Sequence, residues 1–198
     1  ACNTATAAAL DYISAKVSIP VIGVIHPGAR AAISATQSGQ VGVIGTVGTI
    51  SSGAYTAALQ QLSPFVQVVS QACPMLVPLV EQGMFRSEES YRVVEQSLEG
   101  IKDDPIDTLI LGCTHYPFLM TSIGKVMGNR VKLISSADET AREISTILYE
   151  KGKLASGNES HIHQFFCSGD AEMFQKIARD WLGEQIKRTP VVWQVSSL

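Results

Sequence analysis

Hydrophobic residues along the chain follow two alternating patterns. Short runs rich in β-branched and other apolar residues predict strands at 21–25, 42–45, 65–70, 108–113, 131–135, 163–167 and 191–195. Longer segments between these runs repeat their apolar residues every three or four positions, which is the spacing of one helix face. Parallel strands need a covering helix to return the chain, so the alternation predicts an α/β fold with mostly parallel sheet flanked by helices.

Three of the predicted helices have a recognisable apolar face. One follows Ser87, one opens at the capping-box sequence Ser136-Ala-Asp-Glu139, and one follows Asp170. The residues expected to face inward are Tyr91, Val94, Leu98 and Ile101 in the first, Ala141, Ile144, Ile147 and Leu148 in the second, and Phe174, Ile177 and Trp181 in the third. The stretch from Gly152 to Ser160 is expected to be a surface loop.

The composition limits the kinds of partner that the protein is expected to bind. Hydrophobic residues make up 45% of the 198 residues and charged residues 17%, which leaves ample material for a buried core. The 15 lysines and arginines are scattered and the formal net charge is -3, so nucleic acid is not an expected partner. The longest apolar runs, 41–44 and 108–111, are far too short to cross a bilayer, so no membrane partner is expected.

Cysteine usage indicates a reducing compartment. The four cysteines stand at positions 2, 73, 113 and 167 without a Cys-x-x-Cys pair, which favours reduced thiols in a cytoplasm. The first residues lack the basic start, apolar stretch and cleavage site of a secretory signal, and no initiator Met is present. The expectation is that the true N-terminus lies upstream of Ala1.

The segment from Thr108 to Pro117 is the first candidate for chemistry. It reads as a buried strand that ends at Gly112, followed by Cys113, Thr114 and His115 at the start of a helical turn. Ligands bind at such strand ends, and helix N-termini favour thiolate, so Cys113 is expected to be a base with a lowered pKa. The alternative is a small buried core residue.

Cys2 stands in a similar setting. It precedes a predicted helix through Ala7, Leu10 and Ile13, and the neutral donors Asn3 and Thr4 follow it. Helix capping by Asn and Thr would explain the same residues. The functional interpretation therefore depends on the two cysteine motifs occurring together.

A glycine-rich turn at 42–49 is a third candidate. It places the hydroxyls of Thr46 and Thr49 at a strand end, where backbone N–H groups can hold an anion such as a carboxylate. No Gly-Lys-Ser or Gly-Lys-Thr follows, so a nucleotide site is disfavoured.

The remaining candidates each have an ordinary alternative. His115 is placed to assist proton transfer at Cys113, or else to cap a helix. Glu81 is either a buried carboxylate or an ordinary helix-face residue. His161 and His163 resemble a metal pair, but nothing nearby completes a site, so no metal is expected. Cys73 and Cys167 lack the setting of the other two cysteines and are interpreted as core or surface thiols.

These motifs, in this order, resemble the glutamate racemases of Gram-positive bacteria, within the aspartate/glutamate racemase family. The two cysteine motifs are the most specific part of the resemblance. The matching segments are Ala1-Cys-Asn-Thr-Ala-Thr6, Ile25-His-Pro-Gly28, Gly45-Thr-Val-Gly-Thr49, Leu111-Gly-Cys-Thr-His-Tyr-Pro117, Ser135-Ser-Ala-Asp-Glu-Thr140 and Ser168-Gly-Asp170.

The resemblance implies an isomerase that interconverts L- and D-glutamate without a cofactor and supplies D-glutamate for peptidoglycan. One thiolate removes the α-proton and the opposite thiol returns one, because inversion needs an acid and a base on opposite faces. The catalytic positions implied are Cys2, Cys113 and His115. The substrate-contacting positions implied are Asn3, Thr4, Thr46, Thr49, Thr114 and His115, with Glu81 behind them.

The resemblance also implies two pseudo-symmetric α/β domains with the active site in the cleft between them, and a homodimer. Residues 26–134 would form one domain, and 1–25 with 135–198 part of the other. Its N-terminal strands are expected to precede Ala1, so this portion alone is expected to fold poorly or to be inactive. The alternatives are an aspartate racemase, a non-catalytic amino-acid-binding domain and, less favoured, a thiol redox protein.

Overall fold

The computed structural model describes residues 2–85, 87–155, 157, 163–167, 170–188 and 191–195. Contacts between residues divide the chain into two compact units, Ala1–Lys153 and Leu154–Leu198. The first unit holds every candidate site residue named above for catalysis or substrate binding. The prediction of two pseudo-symmetric domains, one of them discontinuous, stays a prediction. The division into compact units does not test whether two halves of the protein are related by symmetry.

A parallel four-stranded sheet organises the first unit. Its strands are β1 (Gln40–Gly45), β2 (Gln67–Ala72), β3 (Thr108–Gly112) and β4 (Lys132–Ser135), in the order β2-β1-β3-β4. All three pairings are parallel, and Gly45 pairs with both Ala72 and Gly112. The carboxyl ends of the three neighbouring strands therefore lie level at one edge of the sheet. This arrangement confirms the predicted α/β fold.

Helices connect the strands and cover the sheet. The connections of the first unit are α1 (Asn3–Lys16), α2 (Ile25–Ala35), α3 (Val47–Ser51), α4 (Ala54–Leu62), α5 (Leu76–Glu81), α6 (Glu88–Ser97), a 3-10 helix (Tyr116–Leu119), α7 (Met120–Met127) and α8 (Ser136–Glu150). Helices α2 and α4 pack together, as do α6 and α7.

The core follows from the alternation of side chains along the strands. Val41 and Val43 of β1 join Ile110 of β3 in a buried cluster with residues of α2 and α4. All five residues of β3 are buried, as expected for a central strand covered on both faces. The predicted inner face after Ser87 is only partly helical. Val94 is buried and Tyr91 half-buried within α6, whereas Leu98 and Ile101 are buried beyond the end of the helix at Ser97.

The second unit is a smaller parallel strand pair with one helix. Strand β5 (His163–Cys167) pairs with β6 (Val191–Val195), and α9 (Ala171–Arg188) connects them. The helix is kinked at Gly183, whose positive φ of 63° suits glycine. Phe165 and Phe174 pack with ring centroids 6.3 Å apart. Both strands match the predicted ones.

Two strand predictions need correction. The predicted strand at 21–25 is wrong, because the chain is irregular there and α2 begins at Ile25. Its apolar residues mark burial, not a strand, since Val24 and Ile25 are buried against neighbouring elements. The strand predicted at 65–70 runs instead from Gln67 to Ala72, because its pairing with β1 starts at Gln67. Phe65, outside the ladder, is 90% exposed.

Helix α8 differs from its prediction at two points. Its N-cap is Ser135, whose hydroxyl accepts from the N–H of Asp138, so the cap lies one residue before the predicted Ser136. The predicted inner face is wrong for Ala141, which is exposed, and for Ile144, which is 37% exposed. Helical periodicity identifies an apolar face, but the face is buried only where another element covers it.

Candidate active site

The candidate site lies at the carboxyl ends of β1 and β3. From β1 the chain proceeds to β2 on one side, and from β3 it proceeds to β4 on the other side. The crevice at such a reversal of strand order is the usual ligand site of an open α/β sheet. Thr46 follows β1 and Cys113 follows β3, so the fold brings two of the three sequence candidates to one edge.

Cys113 is a buried thiol between β3 and the 3-10 helix, with 6% of its surface exposed. Burial raises its pKa, the backbone N–H groups of His115 and Tyr116 lower it, and the charges of Cys2 and Glu81 raise it. The net pKa lies above the ordinary value, so the predicted lowering is wrong. The N–H groups act as expected, but desolvation outweighs them. In the resting state Cys113 is therefore a thiol that needs a base.

His115 lies where such a base would stand. Its Nδ1 lies 3.7 Å from the Cys113 Sγ, and its Nε2 lies 3.2 Å from the Glu81 Oε1. An ionised carboxylate only accepts hydrogen bonds, so Nε2–H donates to Glu81 and the Nδ1 of a neutral ring can accept from the thiol. The order thiol, imidazole, carboxylate can move the Cys113 proton onto the ring and stabilise the imidazolium that results.

Glu81 reaches His115 from the last position of α5, the helix that follows β2. Its side chain is 51% exposed, whereas that of His115 is 19% exposed. The interpretation of Glu81 as a buried carboxylate is therefore wrong. It is an exposed residue at a helix end, and its contact with His115 distinguishes it from an ordinary helix-face glutamate.

Cys2 stands at the N-terminus of α1. It is the N-cap residue, and its Sγ accepts from the backbone N–H of Ala5 at 3.5 Å. The thiol is exposed, in contrast to Cys113, and its charge affects the pKa of Cys113. The next residue, Asn3, has its Nδ2 3.4 Å from Ser136 Oγ, and the Ser136 hydroxyl donates to the carbonyl oxygen of Leu111, two residues before Cys113. The structure therefore brings the two cysteine motifs together.

Three threonine hydroxyls form a triangle beside Cys2. Thr4 Oγ1 lies 2.8 Å from Thr46 Oγ1 and 3.0 Å from Thr49 Oγ1, and the last two lie 3.1 Å apart. Thr46 is also the N-cap of α3, where its hydroxyl accepts from the N–H of Thr49. Thr49 is buried, while Thr4 and Thr46 are half-buried. Clustered hydroxyls at a helix start suit a carboxylate ligand.

Asn3 and Thr114 complete the predicted set. Thr114 Oγ1 lies 3.5 Å from His115 Nδ1, which places it beside the thiol–imidazole pair. Asn3 is 2% exposed and is held by Tyr55 and Ser136. Sequence reasoning missed both partners as site residues. Ser136 lay within a segment noted as a helix start and as part of the family resemblance, but not as a site residue, and Tyr55 had no sequence signal.

The remaining sequence candidates include two cysteines and two histidines. Cys73 is a core thiol whose pKa is raised to about 12 by burial, and Cys167 is half-buried in the second unit. His161 and Ser168-Gly169 lie outside the described residues, as does the side chain of His163. Among the residues described, no three His, Cys, Asp or Glu side chains cluster as metal ligands would. In the same residues no helix is long and apolar enough to span a membrane.

The fold is an α/β domain that places two thiols near the same strand ends, one of them beside a histidine. The chain belongs to the Asp/Glu/Hydantoin racemase family, whose pattern it matches over residues 1–144. It is therefore an isomerase. Cys2, Cys113, His115 and Glu81 all fall within the matched region.

Curated relatives carry the similarity along nearly the whole chain. A glutamate racemase of Bacillus cereus (strain ATCC 10987 / NRS 248) is 50% identical over 193 residues, which are 98% of this chain and 72% of the relative. A glutamate racemase of Listeria monocytogenes serotype 4a (strain HCC23) is 50% identical over 92% of this chain and 68% of its own length.

Solved structures show the same fold. The crystal structure of the glutamate racemase isoform RacE1 from Bacillus anthracis has a TM-score of 0.90 and 48% identity, covering 100% of this chain and 72% of that one. The glutamate racemase of Francisella tularensis in complex with D-glutamate has a TM-score of 0.85 and 29% identity, covering 99% of this chain and 71% of that one. These likenesses confirm the family predicted from the sequence motifs.

Proposed function

We propose that the protein racemises glutamate by proton transfer between Cys2 and Cys113, without a cofactor. The observation that carries the proposal is that the Cys113 Sγ lies 3.7 Å from the Nδ1 of His115, whose Nε2 is held by Glu81. The contacts of Asn3 with Ser136, and of Ser136 with Leu111, connect the Cys2 segment to the Cys113 segment. Glutamate is the substrate because it is the substrate named for the relatives that are 50% identical, and D-glutamate occupies one of the similar structures.

The chemical step balances with these residues alone. His115 takes the thiol proton of Cys113, and the thiolate then removes the α-proton of glutamate, leaving the electron pair on the α-carbon. The thiol of Cys2 gives its proton to the opposite face, which inverts the centre and leaves Cys2 as the thiolate. The reverse reaction exchanges the roles of the two sulfurs.

Removing an α-proton from a zwitterionic amino acid needs strong stabilisation of the charge that develops. We assign the substrate carboxylates to the hydroxyls of Thr4, Thr46 and Thr49, which already converge in the structure. Thr114, beside His115, and Asn3, next to Cys2, are assigned to contacts with the same substrate. Donors fixed before the reaction lower the barrier because they need not reorganise.

The setting of the reaction follows from the same proposal. Free thiols as acid–base groups need a reducing compartment, which places the enzyme in the cytoplasm. D-glutamate is then supplied to peptidoglycan synthesis. We also propose a homodimer, on the resemblance to the family, and light scattering of the purified protein would test it.

The deciding experiment is exchange in deuterated water. The complete polypeptide is incubated with L-glutamate and, separately, with D-glutamate without added cofactor, and α-deuterium and enantiomer composition are followed. Inversion with deuterium uptake from both enantiomers, abolished by Cys2→Ala and by Cys113→Ala, is expected. Absence of exchange from a folded, reduced protein would defeat the proposal. Exchange with aspartate alone would assign the aspartate reaction instead.

A further inference from the structure

A buried chain of hydrogen bonds joins the segment that holds Cys2 to the segment that holds Cys113. The Tyr55 hydroxyl donates to Asn3 Oδ1 at 2.6 Å, and Asn3 Nδ2 lies 3.4 Å from Ser136 Oγ. The Ser136 hydroxyl in turn donates to the carbonyl oxygen of Leu111 at 3.0 Å. Asn3 directly follows Cys2, and Leu111 lies two residues before Cys113, so the chain connects the two thiol-bearing segments.

The hydrogen bonds of this network can be assigned a single set of donors and acceptors. Ser136 has a single hydroxyl proton, and the shorter contact assigns it to Leu111. The Ser136 oxygen therefore accepts from the Asn3 amide nitrogen, which leaves the Asn3 oxygen to accept from Tyr55. Tyr55 thus fixes which way the amide of Asn3 points.

The network is closed to solvent. Tyr55 and Asn3 are 2% exposed and Ser136 is 1% exposed. Two glycines make room for the ring: a Cβ at Gly112 would lie 3.0 Å from Tyr55 Cε2, and one at Gly28 would lie 3.4 Å from the Tyr55 oxygen. Burial, with the nearby charge of Cys113, raises the pKa of Tyr55 far above its ordinary value, against a lowering by Ser136, so the phenol stays a donor.

We propose that Tyr55 is a positioning residue for the proton transfer. Its hydroxyl holds the Asn3 side chain in place and thereby keeps Cys2 and Cys113 correctly placed relative to each other across the substrate. This inference rests on the proposed two-thiol racemisation. Tyr55 does not touch the reacting atoms. Its hydroxyl acts through Asn3, whose buried oxygen would otherwise have only the Ser136 hydroxyl, 3.4 Å away and already donating to Leu111, as a donor.

Tyr55→Phe keeps the ring and removes only the donor. In deuterated water, inversion needs both thiols in place, whereas exchange with retention needs one thiol that trades its proton with solvent. We expect inversion to fall about 10- to 100-fold, as for a lost buried hydrogen bond, and retention exchange to fall much less. Chiral separation with mass analysis at early times gives the ratio of retention to inversion, which should rise about tenfold or more.

A purely structural role would reduce the folded fraction and lower both reactions equally, so an unchanged ratio would overturn the inference. Ser136→Ala removes the other end of the chain and should raise the same ratio, with a double variant that is less than additive. Tyr149→Phe, at an exposed tyrosine, is the matched control and should leave the ratio unchanged. Failure of the wild-type protein to invert glutamate would instead defeat the proposed function.

Discussion

Glu81 and His115 lie 34 positions apart in the chain, yet the Glu81 Oε1 is 3.2 Å from the His115 Nε2. The contact arises because α5 follows β2 and the Cys113 segment follows β3, and both strands flank β1. It fixes the ring so that Nδ1 faces the Cys113 thiol. A carboxylate at this place matters most when the ring carries a proton, which is the state that the chemical step creates.

We expect Glu81→Gln to lower kcat/KM about tenfold, less than the effect of a general base itself, because the carboxylate is half exposed. The loss should be equal for L- and D-glutamate, since the equilibrium links the two directions. The primary isotope effect of α-deuterated substrate should rise for one enantiomer only, the one deprotonated by Cys113. Glu150→Gln, at an exposed glutamate, is the control. Equal isotope effects for both enantiomers would contradict the assignment of Glu81 to the Cys113 side.

His115→Asn tests the base. Burial raises the pKa of Cys113, so without the imidazole few thiolates form at neutral pH. We expect activity to fall about 100-fold or more near pH 7 and to recover in part as the pH rises, because direct ionisation then replaces the base. The measurement is kcat/KM against pH for the variant and the wild type. A variant profile parallel to that of the wild type would show that His115 does not ionise Cys113.

The sequence patterns located the site better than they described its chemistry. Strand ends at Gly45 and Gly112 could be read from apolar runs that stop at glycine, and parallel pairing then places Thr46 and Cys113 at one edge. The pKa of Cys113 could not be predicted, because it depends on how deeply the fold buries the thiol. The pattern also gave no sign of Tyr55, since a helix period shows which face is buried but not which distant polar group it meets.

The same distinction explains the errors at 21–25 and in α8. Both segments do contain the expected apolar residues. Their periodicity shows which residues are hydrophobic, but it does not show which element of the fold covers them. Val24 is buried without a strand partner, and Ile144 belongs to an apolar face that is partly exposed. Glu81 entered the predicted set through the family resemblance, because a glutamate on a helix has an ordinary explanation until its partner is seen.

Gly112 is required by close packing at the end of β3. A Cβ there would lie 2.7 Å from the backbone carbonyl oxygen of Ile44, an atom that cannot move aside cheaply. We expect Gly112→Ala to lower the free energy of unfolding by about 1–3 kcal/mol, measured by denaturant titration, and to displace Cys113. Gly124→Ala is the control, since its Cβ would meet nothing closer than 3.7 Å and it lies within α7. That change should stabilise the protein by up to about 1 kcal/mol. A Gly112→Ala protein as stable as the wild type would show that β1 and β3 can move apart at this point without loss of stability.

Asp107 ties the loop before β1 to the start of β3. One carboxylate oxygen accepts from the Thr36 hydroxyl at 2.6 Å, and the other accepts from the backbone N–H groups of Gln37 and Ser38, each at 2.7 Å. Burial raises the pKa of Asp107, but these hydrogen bonds lower it by more, so its net value is well below the usual range.

A depressed folded-state pKa contributes stability that is present above the unfolded-state value, near pH 4, and is lost as the pH falls through the folded-state value. Asp107→Asn should therefore cost about 1 kcal/mol at pH 7, with the exposure of the carboxylate keeping the figure small. The deficit should shrink as the pH falls below about 4, because the unfolded-state carboxylate then takes up a proton while the folded-state carboxylate is still ionised. Denaturant unfolding at pH 7, 4 and 3 measures it, with Asp103→Asn, an exposed aspartate, as the control. A deficit that grows below pH 4 would mean that Asp107 is destabilised by its surroundings and does not anchor the loop.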